Sequence, residues 1–279
     1  MSAPLRVTLV QVGYGDAESL RDRVERVVRQ VEGLPEADLV VLPELWAHGG
    51  FASDTWAEQA ETIDGPTVRR LAGLARQRGT WLHGGSIVER AADGADPGPE
   101  GRGLWNTSLL FAPDGRLHTT YRKIHRFGFG DGEPRLLEAG DRLAVTDVPF
   151  AVGAGTATVG LATCYDLRFP ELFRGLGERE AGLVVVPAAW PLPRVEHWRL
   201  LGRARAVENQ TWVVQCNTAG THRGLTMGGH SQVVAPTGEV VGELGEAEGV
   251  LSVEVDLGLV ARTRASFPVL ADRRLALGS

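Results

Sequence analysis

Cysteine is scarce in this sequence: two of its 279 residues are cysteines, Cys164 and Cys216. Two cysteines do not build the disulfide framework that stabilises small secreted domains, so we expect a reducing compartment, the cytoplasm. Residues 1–5 contain no basic segment followed by an apolar one, and we therefore expect no secretory signal. In a reducing compartment a cysteine thiol stays available as a nucleophile.

Long apolar runs are also lacking, since no stretch reaches the roughly 18 uninterrupted apolar residues that a membrane helix needs. Neither sign of charge dominates: 29 basic residues stand against 35 acidic ones, the net charge is −6, and the two signs are interspersed. A nucleic-acid partner would require a basic stripe, so neither nucleic acid nor a membrane is an expected partner. The seven histidines are dispersed without zinc-site spacing, and we expect no metal and no cofactor.

The remaining composition is that of a globular protein, with 43% hydrophobic and 23% charged residues. Short β-branched runs alternate with amphipathic helical patterns, which indicates an α/β fold. No shift in composition marks a boundary, so we interpret residues 1–279 as one domain. Predicted strands cover residues 5–11, 38–42, 81–88, 105–111, 117–122, 157–162, 183–186, 211–217, 231–235 and 239–243, the last two forming a hairpin. Predicted helices cover residues 20–31, 66–78, 171–176 and 195–209.

Three reactive side chains follow predicted strands directly: Glu44, Lys123 and Cys164. The ends of strands are where α/β sheets bind their ligands. Taken singly, each residue has an ordinary explanation as a capping carboxylate, a solvated lysine or a small buried thiol. Together they supply an acyl-transfer site, because a carboxylate can take a thiol proton, a thiolate can attack a carbonyl carbon and an ammonium can stabilise the oxyanion.

The segments around these residues resemble the three motifs of the nitrilase, or carbon–nitrogen hydrolase, superfamily. Residues 42–44 (LPE) resemble its glutamate motif, residues 121–125 (YRKIH) its lysine motif, and residues 163–172 (TCYDLRFPEL) its cysteine motif. Three motifs in the family's order form a far more specific signal than one short motif.

The resemblance implies a four-layer αββα sandwich and a catalytic triad of Glu44, Lys123 and Cys164. It further implies that the backbone N–H of Tyr165 joins the lysine in the oxyanion hole. A second catalytic glutamate is implied in the loop after the lysine, and Glu133 stands at the matching place. Assembly into a homodimer or a higher homo-oligomer is also implied.

Further segments are similar to the short Nit-type amidases, a group that includes ω-amidases. The resemblance implies a small amide substrate with a carboxylate remote from the amide, hydrolysed through a cysteine thioester with release of ammonia. A guanidinium suits such a carboxylate, and Arg194 is our candidate for it. Trp190 is a candidate for the pocket wall, whereas we expect Arg168 to pair structurally with a nearby acid. The similar segments are residues 106–108 (NTS), 188–190 (AAW), 197–198 (HW), 203–210 (RARAVENQ) and 229–231 (GHS).

Other functions stay open at this stage. A nitrile or N-carbamoyl hydrolase of the same superfamily would use the same three residues. A catalytically silent homologue could instead serve as a binding subunit. From the residues alone, a papain-like pair of Cys164 with a histidine is a further alternative; the candidate bases are His125, His197 and His230.

Overall fold

The computed structural model of the chain describes residues 4–150 and 155–275. The strands are β1 (Leu5–Gln11), β2 (Leu39–Val41), β3 (Trp81–Arg90), β4 (Leu104–Phe111), β5 (Leu117–Arg122), β6 (Ala144–Pro149), β7 (Thr156–Leu161), β8 (Leu183–Pro187), β9 (Trp212–Cys216), β10 (Thr221–His222), β11 (Leu225–Thr226), β12 (Gln232–Val234), β13 (Val240–Glu243) and β14 (Gly249–Val255). The helices are α1 (Leu20–Glu32), α2 (Trp56–Gln59), α3 (Pro66–Arg78), α4 (Glu133–Leu136), α5 (Pro170–Glu178), α6 (Val195–Asn209) and α7 (Gly258–Ser266).

Two six-stranded sheets have the same internal plan, in the orders β14-β1-β2-β3-β4-β5 and β13-β12-β9-β8-β7-β6. In each sheet three central strands run parallel, β1-β2-β3 and β7-β8-β9, and antiparallel strands extend both sides. The parallel strands β2 and β8 are buried throughout, as their continuous apolar sequences predict. Each sheet thus contains a buried apolar segment that runs into a proline, in residues 40–43 (VVLP) and 184–187 (VVVP).

The inner faces of the two sheets form one core, to which Leu9 and Val41 contribute from the first sheet and Val185 and Val214 from the second. Helices α1 and α3 cover the outer face of the first sheet with a second apolar cluster. Helices α5 and α6 lie on the second sheet, where Phe173 and Trp198 join the central core. The predicted four-layer αββα sandwich is confirmed.

The helix α1 shows how local sequence places such a layer. Ser19 caps it by accepting the backbone N–H of Asp22. Four valines then recur at helical spacing, and all four are buried against the sheet. Burying each valine side chain stabilises the fold by roughly 1.5–3 kcal/mol. The valines are Val24, Val27, Val28 and Val31.

Seven elements of the structure were not predicted: the strands β6, β10, β11 and β14 and the helices α2, α4 and α7. Residues of β14 alternate between half-buried and exposed, and this strand completes the first sheet by pairing with β1 from the far end of the chain. The helix α7 has one buried residue, Val260, so its sequence carries almost no amphipathic pattern. No helix within residues 4–150 and 155–275 is long and apolar enough to cross a bilayer.

Candidate active site

The site lies where strands of both sheets end. Glu44 follows β2, Lys123 follows β5, and Cys164 follows β7. A fourth residue, Glu133, begins the short helix α4. All four residues are buried and line one cavity, so the structure brings Glu44, Lys123 and Cys164 together with the second glutamate.

Lys123 lies between the two glutamates. Its Nζ donates hydrogen bonds of 2.8 Å to Oε1 of Glu44 and 2.8 Å to Oε2 of Glu133. Burial alone lowers the pKa of Lys123, but the negative charges of Glu133 and Glu44 outweigh it and raise that pKa well above its usual value. For Glu133, burial is the main effect and raises the carboxyl pKa despite the opposing lysine. The ammonium group is therefore a fixed positive charge in a buried site.

Cys164 begins a 3-10 turn, Cys164–Arg168, in a backbone conformation that is costly for a residue with a β-carbon. Its φ is +48°, in the left-handed region, which costs about 1–3 kcal/mol. A reciprocal capping box between Thr163 and Asp166 holds the turn in place. Burial and the adjacent Glu44 raise the pKa of the Cys164 thiol well above its usual value, and Lys123 opposes this. The resting group is thus a thiol, which requires a base to become a nucleophile.

A cavity of about 230 Å³ opens above these residues. Tyr165 lies in its wall, and aromatic rings continue from it, with Phe127 at 5.3 Å and then Phe51 at 6.2 Å between ring centroids. The wall also carries Trp190 and two guanidinium groups, Arg168 and Arg194. A cavity with an apolar wall and a few charged groups is typical of small-molecule sites.

The chain was compared with known families and structures. The sequence profile described as Carbon-nitrogen hydrolase matches residues 6–265. The chain belongs to the carbon–nitrogen hydrolase family. It is accordingly a hydrolase of carbon–nitrogen bonds.

Individual relatives agree with this assignment. A 2-oxoglutaramate amidase of Paenarthrobacter nicotinovorans is 45% identical over 270 residues, which cover 97% of this chain and 90% of that protein. A carbon–nitrogen hydrolase superfamily protein of Xanthomonas campestris has a TM-score of 0.84 at 31% identity, with 99% of both chains covered. An amidase from Nesterenkonia sp. AN1 has a TM-score of 0.78 at 26% identity, with 98% of both chains covered. That amidase structure shows the acetamide moiety of fluoroacetamide added covalently at the active-site cysteine.

Arg168 corrects one expectation for this carbon–nitrogen hydrolase, because it does not pair with an acid. Within the described ranges no carboxylate oxygen lies within 4.0 Å of its guanidinium. The guanidinium lies over the ring of Trp190, with Cζ 4.6 Å from the centroid, and donates to Nδ1 of His197 at 3.3 and 3.4 Å. Arg168 therefore faces the cavity as an uncompensated positive charge.

Arg194 and Trp190 both line the cavity. The Cζ atom of Arg194 is 5.6 Å from the ring centroid of Phe127, and no carboxylate among the described residues lies within ion-pair distance of it. Trp190 is both wall and core: its indole N–H donates to the carbonyl of Arg194 at 2.7 Å, and its ring packs on Trp198. The wall position of Arg194 is thus fixed by the tryptophan four residues before it.

Sequence reasoning missed the role of Asp166, which ties the cysteine motif to the lysine motif. Its Oδ1 accepts the backbone N–H and Nδ1 of His125 at 2.9 and 2.7 Å. Its Oδ2 accepts the hydroxyl of Tyr121 at 2.7 Å and the backbone N–H of Thr163 at 2.9 Å. All these residues stand in the two quoted motifs, which was the available signal. Because Nδ1 of His125 contacts Asp166, this histidine does not serve as the base for Cys164.

Sequence reasoning also missed Asn106 as a site residue, although the segment that contains it was quoted as a resemblance. Its Nδ2 contacts both glutamates, at 2.8 Å from Glu44 and 2.7 Å from Glu133. Within the described residues, no group of three or more His, Cys, Asp or Glu side chains is arranged to hold a metal ion.

Proposed function

We propose that this protein hydrolyses the C–N bond of a small carboxamide that carries a carboxylate remote from the amide. The supporting observation is one cavity with a buried thiol, carboxylate and ammonium at its floor and two guanidinium groups in its wall, neither of which pairs with a carboxylate of the described residues. The likeness to a 2-oxoglutaramate amidase supports the same substrate class. The products are ammonia and a dicarboxylic acid.

In the first half of the reaction, Glu44 takes the thiol proton and Sγ of Cys164 attacks the amide carbon. The carbonyl π bond breaks, and its electrons form an oxyanion. Lys123 stabilises the negative charge together with the backbone N–H of Tyr165. The C–N bond then breaks, the proton passes from Glu44 to the leaving ammonia, and a thioester remains on Cys164.

In the second half, Glu44 takes a proton from water and the resulting hydroxide oxygen attacks the thioester carbon. The C–S bond breaks, the thiolate regains the proton, and the carboxylic acid leaves. Glu133 keeps the ammonium of Lys123 in place by a hydrogen bond of 2.8 Å, and its Oε2 also accepts the backbone N–H of Phe127, which links that position to the cavity wall.

Arg194 and Arg168 are proposed to bind the remote carboxylate, with Trp190 as the wall beneath. A guanidinium can donate two parallel hydrogen bonds to a carboxylate, and desolvation in the cavity strengthens them. Two adjacent guanidinium groups repel each other when the cavity is empty, and Arg194 contributes to lowering the pKa of Arg168 after the larger effect of burial. An anionic group of the substrate relieves this repulsion.

We also propose that residues 1–279 form one catalytic domain that works in the cytoplasm as a homodimer, without nucleic acid. Support for the dimer comes from helix α6, whose outer face exposes Leu200 and Val207 to 64% and 50%. The two residues are seven positions apart and therefore lie on the same face of the helix. An exposed apolar patch of this kind is typical of a surface that is covered in an assembly. Sedimentation measures the molecular mass of the wild type and of Leu200→Asp. We expect a dimer for the wild type and a monomer for Leu200→Asp, and a monomeric wild type would contradict the dimer.

An ammonia-release assay tests the proposed function. The substrates are an ω-amide of a dicarboxylic acid, a neutral amide of the same length, a nitrile and an N-carbamoyl acid. We expect the acid-bearing amide to have the highest kcat/KM, and Glu44→Gln to lower its kcat at least about a hundredfold, because the base is lost. No ammonia from any amide, or full activity of Glu44→Gln, would contradict the proposal. Preference for the nitrile or the carbamoyl acid would favour those activities instead.

A further inference from the structure

Asn106 contacts every charged residue at the floor of the cavity. It lies in β4 and is 2% exposed. Its Nδ2 is 2.8 Å from Oε1 of Glu44 and 2.7 Å from Oε1 of Glu133. Its backbone carbonyl accepts the backbone N–H of Lys123 at 2.9 Å. One residue therefore bridges both carboxylates by its side chain and holds the lysine by its main chain.

The hydrogen bonds to Glu44 leave one acceptor position open. A carboxylate has about four lone-pair sites, two on each oxygen. Oε1 accepts two donors, Nζ of Lys123 and Nδ2 of Asn106, each at 2.8 Å. Oε2 accepts one donor, the backbone N–H of Ala189 at 2.8 Å. The remaining site, on Oε2, is the one free to accept a proton.

The amide suits this place because it donates without adding charge. The buried group already contains one ammonium and two carboxylates, Lys123 with Glu44 and Glu133. A second cation would neutralise Glu44 further and weaken it as a base, whereas an apolar residue would leave both Oε1 atoms with one donor fewer. Both N–H groups of the amide are used, one for each carboxylate.

We propose that Asn106 is a positioning residue for the reaction: its amide occupies Oε1 of Glu44 and ties this carboxylate to Glu133, so that the thiol proton of Cys164 passes to Oε2. This inference rests on the proposed role of Glu44 as the base. It assigns to Asn106 no contact with the substrate, only control over which oxygen is basic and where it points.

Two variants test the proposal. Asn106→Asp keeps the size of the side chain but loses both N–H donors, and Asn106→Ser is smaller and neutral. The matched control is Thr107→Val, which removes a buried hydrogen bond of 2.5 Å to Glu89 from the neighbouring position of β4, outside the site. Each protein is assayed for kcat and KM with an amide across the pH range. The rate at which iodoacetamide alkylates Cys164 is followed by mass spectrometry over the same range.

We expect both Asn106 variants to lower kcat about ten- to a hundredfold while KM changes less than about threefold. A hydrogen bond from Asn106 favours the charged form of each carboxylate, so its loss should move the acidic limb of both pH profiles upward. Thr107→Val should leave the acidic limb of both pH profiles unchanged. An unchanged acidic limb in both variants, or an effect on KM alone, would overturn the proposal.

The alkylation profile separates this inference from the proposed function, because it needs no amide substrate. If Glu44→Gln leaves the alkylation profile of Cys164 unchanged, the role of Glu44 as the base is wrong. If Glu44→Gln changes that profile and the Asn106 variants do not, the role of Glu44 stands and the inference about Asn106 is wrong.

Discussion

At the scale of single residues, the two cysteines show how position decides chemistry. Both thiols are buried, and burial raises the pKa of each. Cys216 lies in β9 with its Sγ 3.4 and 3.3 Å from the carbonyl oxygens of Val10 and Val41, so it is a core residue. Cys164 instead faces a cavity, a carboxylate and an ammonium. A high thiol pKa is compatible with catalysis only where a base can reach the proton.

The two thiols are therefore expected to respond differently to the same substitution. Cys164→Ala should abolish ammonia release, because no thioester can form, while circular dichroism shows a retained fold. Cys216→Ala should keep most of the activity and lose some stability from the small cavity. Trapping of a covalent adduct by mass spectrometry should succeed in Cys216→Ala and fail in Cys164→Ala. Equal loss of activity in two folded variants would contradict this assignment.

At the scale of elements, the charged wall of the cavity is built by two separate segments. Arg168 ends the 3-10 turn that begins with Cys164, and Arg194 immediately precedes α6. The ring of Trp190 lies under the first guanidinium, and its indole N–H holds the backbone of the second residue. Each guanidinium is thus fixed relative to the nucleophile by a rigid element, and their spacing limits the length of the substrate.

This arrangement predicts which substitutions discriminate between substrates. Arg168→Ala and Arg194→Ala should each lower kcat/KM for an acid-bearing amide about tenfold or more, mainly through KM, since a hydrogen bond to a charged group contributes about 1.5–3 kcal/mol. A neutral amide of the same length should change less than about twofold. Arg203→Ala, at an exposed arginine of α6, is the control and should affect neither. Equal losses for both substrates in either variant would argue against a carboxylate site there.

At the scale of the whole molecule, two buried histidines make stability depend on pH. Burial lowers the pKa of His48 to about 4 and that of His83 to about 3. In an unfolded chain the histidine pKa is about 6.5. Between the folded and the unfolded pKa of each histidine, the unfolded state therefore binds more protons than the folded state. Stability should therefore be complete above about pH 6.5 and decrease as the pH falls, by up to about 1.4 kcal/mol per pH unit for each histidine.

Urea unfolding at about pH 7 and about pH 5 measures this loss. His48→Asn removes one of the two titrating groups, so the free energy of unfolding should differ less between the two pH values than it does in the wild type. Comparing the difference between proteins cancels the contribution of all other titrating groups. The same difference in both proteins would show that His48 does not contribute.

Much of this protein is determined by local sequence. Alternating and helical apolar patterns predicted the central strands and the longer helices, because burial of one face or stripe is a property of neighbouring residues. The motifs around Glu44, Lys123 and Cys164 predicted the family and the sandwich. The edge strand β14 escaped this reasoning, since its partner β1 lies at the other end of the chain.

The contacts that define the site were decided by the tertiary structure. Asn106 reaches Glu44 across 62 positions of sequence, and the backbone of Ala189 reaches the same carboxylate across 145. Arg168 was expected to form an ion pair, but it lies in the cavity wall and contacts no carboxylate in the part of the chain that the structure describes. A sequence specifies which side chains follow a strand, but their distances depend on how two sheets pack face to face. That packing is set by the shared core, to which residues from the whole chain contribute.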